Sequence, residues 1–430
     1  MPVVFWTALL LALETRAATG INTELRAGRA PVVWGGPPQA TIAWTTSPNL
    51  TLLAYDSVKS LTLLYAPRIL LREPNIERRL RPIILHQAAL RGSSQFGPDI
   101  TGSLSATGAI GELDYSAWQQ VLGNTGANVP RTNRLAQAAA QARGEFRLSA
   151  TLELETEARA AVWVPLSQTY TDPIVNSPMG FALARLTTIG FEPRLSKRVS
   201  PRNQLTTRFD TAYYESTNGL RLLTMNPEVG SNLKLDRQGV LRVAVGLTVA
   251  RDLADRAPGE KSESRVTPSG NVRLTQQLAG HRTTRLESEL AATTAYFVDP
   301  VLGRGRLRGT AMARLRAVFS REWSAELELT FSTSLMKHPL LLPGLPPPVN
   351  DPTMPGQGYP YETVVAATLP VRWQFSRTFE FEGGGRFVDR GPHLRAPGFS
   401  LQQRETWLYV LLTAAFDFGH RRPATTAQAQ

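Results

Sequence analysis

Between Val240 and Arg251 the chain alternates strictly: Leu241, Val243, Val245, Leu247 and Val249 share one parity, and Arg242, Ala244, Gly246 and Thr248 share the other. Successive side chains of a strand point to opposite faces, so this segment has one aliphatic face and one small or polar face. A helix would mix them. The scheme recurs. Leu307, Gly309, Ala311, Ala313, Leu315, Ala317 and Phe319 oppose Arg306, Arg308, Thr310, Met312, Arg314 and Arg316. Trp323, Ala325, Leu327, Leu329 and Phe331 then oppose Ser324, Glu326, Glu328, Thr330 and Ser332.

A soluble sandwich also alternates, but it turns its apolar face into a core between two sheets and rarely continues through so many long strands. Here the charged face recurs too often to be a core. The economical geometry is a closed ring with apolar residues toward lipid and polar residues toward a lumen, because closure leaves no unpaired backbone edge in hydrocarbon. The expected fold class is therefore all-β, a transmembrane antiparallel up-and-down β-barrel.

Turn chemistry divides the chain into strands near 40–46, 48–56, 59–73, 79–92, 97–113, 144–156, 159–166, 180–194 and 202–215. It continues with 220–235, 239–251, 266–279, 283–297, 305–319, 323–336, 360–375, 379–390 and 404–418. That makes 18 strands, with 16 as the alternative count because 40–46, 159–166 and 220–235 carry the weakest patterns. Connections alternate in length. Tight ones fall near 92–96, 156–158, 236–239 and 320–322, and mostly longer ones intervene, among them 115–143 and the proline-rich 337–359. Outer-membrane barrels place short turns in the periplasm and long loops outside, and an even count leaves both termini in the periplasm. The 115–143 connection, alanine-rich in its second half and able to form a short helix there, either folds into the lumen as a constriction or stands outside as a cap.

Ahead of the barrel, Val3 to Leu13 is an apolar run too short to cross a bilayer but suited to an export signal. The expected organisation is residues 1–20 as signal peptide, 21–38 as a periplasmic N-terminal segment, 39–418 as the barrel and 419–430 as a periplasmic tail. The chain of 430 residues has no cysteine, which excludes disulfides, thiolate metal sites, cysteine nucleophiles and the acylated N-terminus of a lipoprotein.

Inward parity makes Arg208, Arg242, Arg306, Arg308, Arg372 and Arg386 candidate lumen-lining residues for solute contact, a set that would attract anions into a confined path. Across the turn at Ser320, Arg316 should face Glu326 and Arg314 should face Glu328, so these four are expected as structural cross-strand ion pairs. Arg306 and Arg308 have no obvious partner in the pattern. The net charge of +12 does not by itself establish anion selectivity, because many basic residues fall in connections, where outer-membrane lipid and lipopolysaccharide head groups account for them equally well. Nucleic acid is not an expected partner.

For catalysis the material is thin. The five histidines are scattered, and His86, within a strand, has no serine or aspartate motif around it. No enzyme, no cofactor and no metal site is expected.

Two resemblances refine the reading. Trp407, Tyr409, Phe416 and Phe418 in the last strand resemble the terminal aromatic signal read by the barrel assembly machinery, displaced here by the tail that follows Phe418. From residue 40 to 418 the pattern resembles bacterial outer-membrane barrels generally. The segments SLTLLYAPRILLRE (60–73), PIILHQAALR (82–91), GELDYSAW (111–118) and DPVLG (299–303) are similar to the Wzp-type integral barrels of Wzx/Wzy-type polysaccharide export systems. That resemblance implies an 18-stranded conduit for secreted polysaccharide, completed by a periplasmic polysaccharide export protein. A general porin or small-solute channel, and a structural or adhesive surface barrel, are the alternative functions.

Overall fold

The computed structural model describes residues 14–31, 38–73, 82–114, 132–168, 185–217, 221–236, 238–253, 264–280, 284–299, 304–334, 362–392, 395–396, 399–400 and 403–417. Within them the chain forms one closed antiparallel barrel of 18 strands. In chain order these are β1 (Glu14–Pro31), β2 (Pro38–Tyr55), β3 (Lys59–Tyr65, resuming at Arg68–Glu73), β4 (Ile83–Gly97), β5 (Ile100–Asp114) and β6 (Thr132–Arg147). Then come β7 (Leu152–Gln168), β8 (Leu186–Ser200), β9 (Asn203–Ser216), β10 (Arg221–Lys234), β11 (Gly239–Asp252) and β12 (Ser264–Gly280). The set ends with β13 (Arg285–Asp299), β14 (Arg304–Val318), β15 (Trp323–Ser334), β16 (Glu362–Trp373), β17 (Phe379–Pro392) and β18 (Gln403–Asp417).

Each strand pairs with its sequence neighbours, and β1 closes the ring on β18 with Leu25 opposite Val410 and Gly28 opposite Trp407. At that seam the backbones approach so closely that a Cβ on Gly28 would lie 1.9 Å from the Thr406 carbonyl oxygen. Only glycine fits there without moving a strand. In β3 the ladder breaks at Ala66 and Pro67. The Ala66 N–H bonds to the Gln87 carbonyl instead, and Ser47 Oγ donates to the Pro67 carbonyl.

Four boundaries differ from the sequence expectation. Of the segment expected to be periplasmic, residues 21–31 belong to Glu14–Pro31, a full wall strand that also contains the expected leader boundary at residue 20, and residues 32–37 lie outside the described residues. The two strands expected at 40–46 and 48–56 are one continuous strand, with Pro48 held opposite Ile21. Thr132–Arg147 is a strand rather than the second half of a loop or a helix, and the following turn lies at 148–151, not 156–158. Likewise the turn expected at 92–96 is strand, and the chain reverses between Gly97 and Ile100. One strand missed and one counted twice cancel, which is why the count of 18 stands.

Alternation sorts the two faces. Leu104, Ile110, Phe191, Val245, Leu247, Leu290 and Leu408 are exposed on the outside of the ring. At the short-turn end an outward aromatic chain runs from Trp323 to Trp373 (centroids 5.2 Å), Phe375 (5.1 Å), Phe379 (5.7 Å) and Phe416 (6.0 Å). Such a girdle marks the level where bilayer hydrocarbon meets water. A 14-residue strand such as β9, rising about 3.3 Å per residue and tilted about 40°, spans roughly 35 Å, enough to cross the hydrocarbon.

Candidate functional site: the lumen wall

The inner parity of β6 to β10 carries an ion-pair lattice. Arg143 Nη2 stands 2.8 Å from Glu145 and 3.1 Å from Glu155. Arg194, one strand on, approaches Glu155 at 3.7 Å and donates to Glu192 Oε1 at 3.0 Å. Arg208 donates to the other oxygen of Glu192 at 2.7 Å and to Glu228 at 3.3 Å, while Arg159 donates to Asp210 at 2.6 Å. Glu192, whose side chain is 7% exposed, thus has three guanidinium groups around it, with Arg159 the furthest at 3.6 Å. Asn226 extends the network, donating to Glu228 and accepting from Ser269 and Thr248 on β12 and β11.

A second lattice crosses β12 to β15. Arg273 stands 2.6 Å from Glu289, and Arg314 binds Glu328 at 2.7 Å and also approaches Glu326 (3.3 Å) and Glu289 (3.7 Å). The expected Arg314–Glu328 pair is present. The expected Arg316–Glu326 pair is not: the two are opposite in register, but Arg316 reaches Glu287 at 4.0 Å and Arg314 takes Glu326. The cause is that strand side chains lean along the strand, so the long Arg314 covers the diagonal carboxylate as well as the opposite one.

The candidate solute contacts separate. Arg208 is held by Glu192 and Glu228, and Arg372 Nε donates to Glu382 Oε2 at 2.5 Å. Arg308, expected without a partner, donates through Nε to Ser332 Oγ. Arg242 faces the lumen between Asn232 and Arg273 and makes no ion pair among the described residues. Position 306 lies in β14 opposite Phe297, and its side chain falls outside the described residues. Arg386 pairs in register with Thr368 on one side and Trp407 on the other. Of the six candidates, Arg208 and Arg372 are therefore tied to carboxylates, which share the arginines' parity on neighbouring strands, while Arg308 is tied to a serine.

Of the last-strand aromatics, Trp407 and Tyr409 face the lumen and Phe416 faces outward, while Phe418 lies outside the described residues. Trp407 is covered by the Arg26 guanidinium at 5.3 Å and the Arg72 guanidinium at 5.9 Å, and its indole N–H donates to Glu405. Tyr409 donates to Glu382 at 2.9 Å. The wall from β14 through β18 to β1 is hollowed into a cavity of 370 Å³ over Pro370 and Gly384, which pair in register. A Cβ on Gly384 would meet the Leu369 carbonyl at 2.5 Å and the Tyr409 hydroxyl at 2.9 Å, so the floor stays low. Arg26, with Nε 2.9 Å from Glu24, closes the β1 side. His86, on the outer face, hydrogen-bonds Tyr65 Oη through Nδ1 at 2.8 Å.

Glu24, Arg26, Arg159, Glu192 and Asn226 were missed as site residues. The first two lay in a segment read as periplasmic, and the parity of Arg159 and Glu192 was legible, but which charges meet depends on inter-strand register.

A closed barrel with an apolar girdled exterior and a charged interior defines an integral β-barrel of the outer-membrane type. No family model and no curated protein matches the chain. Among solved structures it is similar to the FrpB iron transporter from Neisseria meningitidis (F5-1 variant), at 10% identity over 95% of this chain and 84% of that one, with a TM-score of 0.49. It is also similar to OccK2 (OpdF) from Pseudomonas aeruginosa, at 10% identity over 94% and 98% with a TM-score of 0.46, and to OccAB4 from Acinetobacter baumannii, at 8% identity over 94% and 98% with a TM-score of 0.43.

Proposed function

We propose that the chain is a passive outer-membrane channel for small polar solutes, acting without catalysis or a cofactor. The carrying observation is that the inner parity from β6 to β17 carries charges of both signs tied into lattices, which hold the wall side chains out of one another's way. A ring of 18 strands encloses more than side chains can fill, so the remainder is aqueous. Purified protein in a planar lipid bilayer is expected to give discrete conductance steps in KCl. Absence of steps from heat-modifiable, folded protein would reject the channel and leave a structural or adhesive barrel.

Passage of a secreted polysaccharide, with a periplasmic export protein docked at the short-turn end, is a second reading with its own observation. The inner faces of β4 to β6 carry a group of uncharged polar residues, Ser93, Ser103, Ser105, Thr107 and Gln141, flanked by Arg91 and Arg143. Among the described residues Ser103, Ser105, Thr107 and Gln141 make no side-chain hydrogen bond, which leaves hydroxyl and amide groups for a hydrated glycan to exchange with. Deleting the gene should then abolish one surface glycan, and unchanged secretion of all of them would remove this reading while leaving the channel. Lipopolysaccharide around the outer wall and the assembly machinery are the other partners of both readings.

A further inference from the structure

We infer that the cavity over Pro370 and Gly384 is a solute subsite that favours zwitterions, molecules carrying one ammonium and one carboxylate, over anions and over uncharged solutes of the same size. This rests on the channel reading and adds the solute class. The cavity lies on the lumen wall, where a permeating molecule passes, and its volume of 370 Å³ suits a solute of amino-acid size.

Its charges are counted from the lining. Four guanidinium groups contribute, from Arg26, Arg314, Arg372 and Arg386. Four carboxylates balance them, from Glu24, Glu326, Glu328 and Glu382. The sum is zero, but the arrangement is not uniform. Register places the lining in rows across the wall: Glu328 beside Thr368, Arg386 and Trp407 in one row, and Arg372 beside Glu382 and Leu411 in another. The low floor of Pro370 and Gly384 lies between those rows, so a molecule resting on it has Arg386 and the Arg372–Glu382 pair on its β16–β17 side, a net positive charge, and Glu326 and Glu328 with Arg314 on its β14–β15 side, a net negative charge.

A net anion gains little there, because the guanidinium charges of the lining are balanced in sum by carboxylates that repel it. An uncharged solute gains only hydrogen bonds. A molecule with both charges can align with the local field, its carboxylate on spare guanidinium N–H groups and its ammonium on the Glu326 and Glu328 oxygens. Each guanidinium has five donors, more than its internal partner uses.

The test uses the full-length protein in liposomes, with swelling rates for glutamine, glutarate and arabinose, and KCl conductance as the measure of an intact channel. The expected order is glutamine fastest, by about threefold or more over both others. The variant Glu326→Gln/Glu328→Gln should lose the glutamine preference over arabinose and raise the glutarate rate relative to arabinose. Conductance with equal rates for glutamine and arabinose, or with glutarate fastest in the unaltered protein, overturns the subsite and leaves the channel standing. A folded barrel with no conductance overturns both. If the double variant does not fold, Thr368→Tyr, which crowds the cavity and leaves every charge, should slow glutamine more than arabinose; equal slowing overturns the subsite.

Discussion

Arg208 meets Glu192 across a strand boundary, Nη2 donating to Oε2 at 2.7 Å, and the carboxylate it meets also binds Arg194 and lies near Arg159. Glu192 is the hub of the β6–β10 lattice. Replacing it with Ala leaves three guanidinium groups facing one another with their shared counter-charge gone. Glu192→Ala is expected to destabilise the barrel by about 1–3 kcal/mol, less than the roughly 3–5 kcal/mol for breaking a fully buried pair, because the arginines are about one-third exposed and water screens them. The heat needed to convert the folded to the unfolded gel mobility measures it. An unchanged conversion temperature would mean that the lattice is decorative.

Side-chain parity gives a sharper test. Leu104 faces lipid and its neighbour Ser103 faces the lumen. Leu104→Arg is expected to cost about 2–4 kcal/mol, the range for a cation placed at mid-membrane depth on a barrel exterior. Ser103→Arg, one residue away, should cost far less. Refolding yields into detergent or lipid, measured side by side, separate the two, and similar losses would contradict the assigned faces.

At the seam, Gly28→Val is expected to prevent closure. A Cβ there would sit 1.9 Å from the Thr406 carbonyl oxygen, and no rotamer relieves a clash made by the backbone. The neighbouring Ala27→Val faces outward beside Leu408 and should be tolerated. Loss of the folded gel band in the first variant and its retention in the second is the expected pair of results.

Asp56, in the turn between β2 and β3, accepts hydrogen bonds from the Val58 and Lys59 amides at 2.7 Å each, and these hold its carboxyl below the ordinary carboxylate value. A lowered folded-state pKa means that the contribution is present above the unfolded value, near 3.8, and is lost as pH falls through the folded one. Thermal unfolding of Asp56→Asn should therefore show a shallower decline with acid than the unaltered protein. Identical acid profiles would show that the turn makes no such contribution.

How far the sequence revealed this molecule follows from what alternation encodes. Period two is a local property, so segments such as 240–251 and 323–332 were legible as strands with assigned faces. It fails where both parities are small. Ala136 to Ala142 has Gln137, Ala139 and Gln141 on one parity and only alanine on the other, and β6 there resembles a helix in sequence. It was overridden in β1, where proximity to an apolar start suggested processing rather than wall. Register lies beyond it altogether. The Arg314–Glu328 pair was found because a tight turn fixes the offset, whereas the meeting of Arg159 with Asp210 requires knowing how β7, β8 and β9 slide past one another.

The seam between β1 and β18 also constrains biogenesis. Every strand but these two finds both of its mates beside it in the polypeptide, whereas β1 and β18 find only one each, so the sheet stays open until they meet. Until then two adhesive margins remain, each ready to recruit a foreign strand. Insertion of this protein must accordingly be a late, concerted event that waits for its carboxyl-terminal hairpin, and a chain stalled one strand short would be aggregation-prone rather than merely leaky.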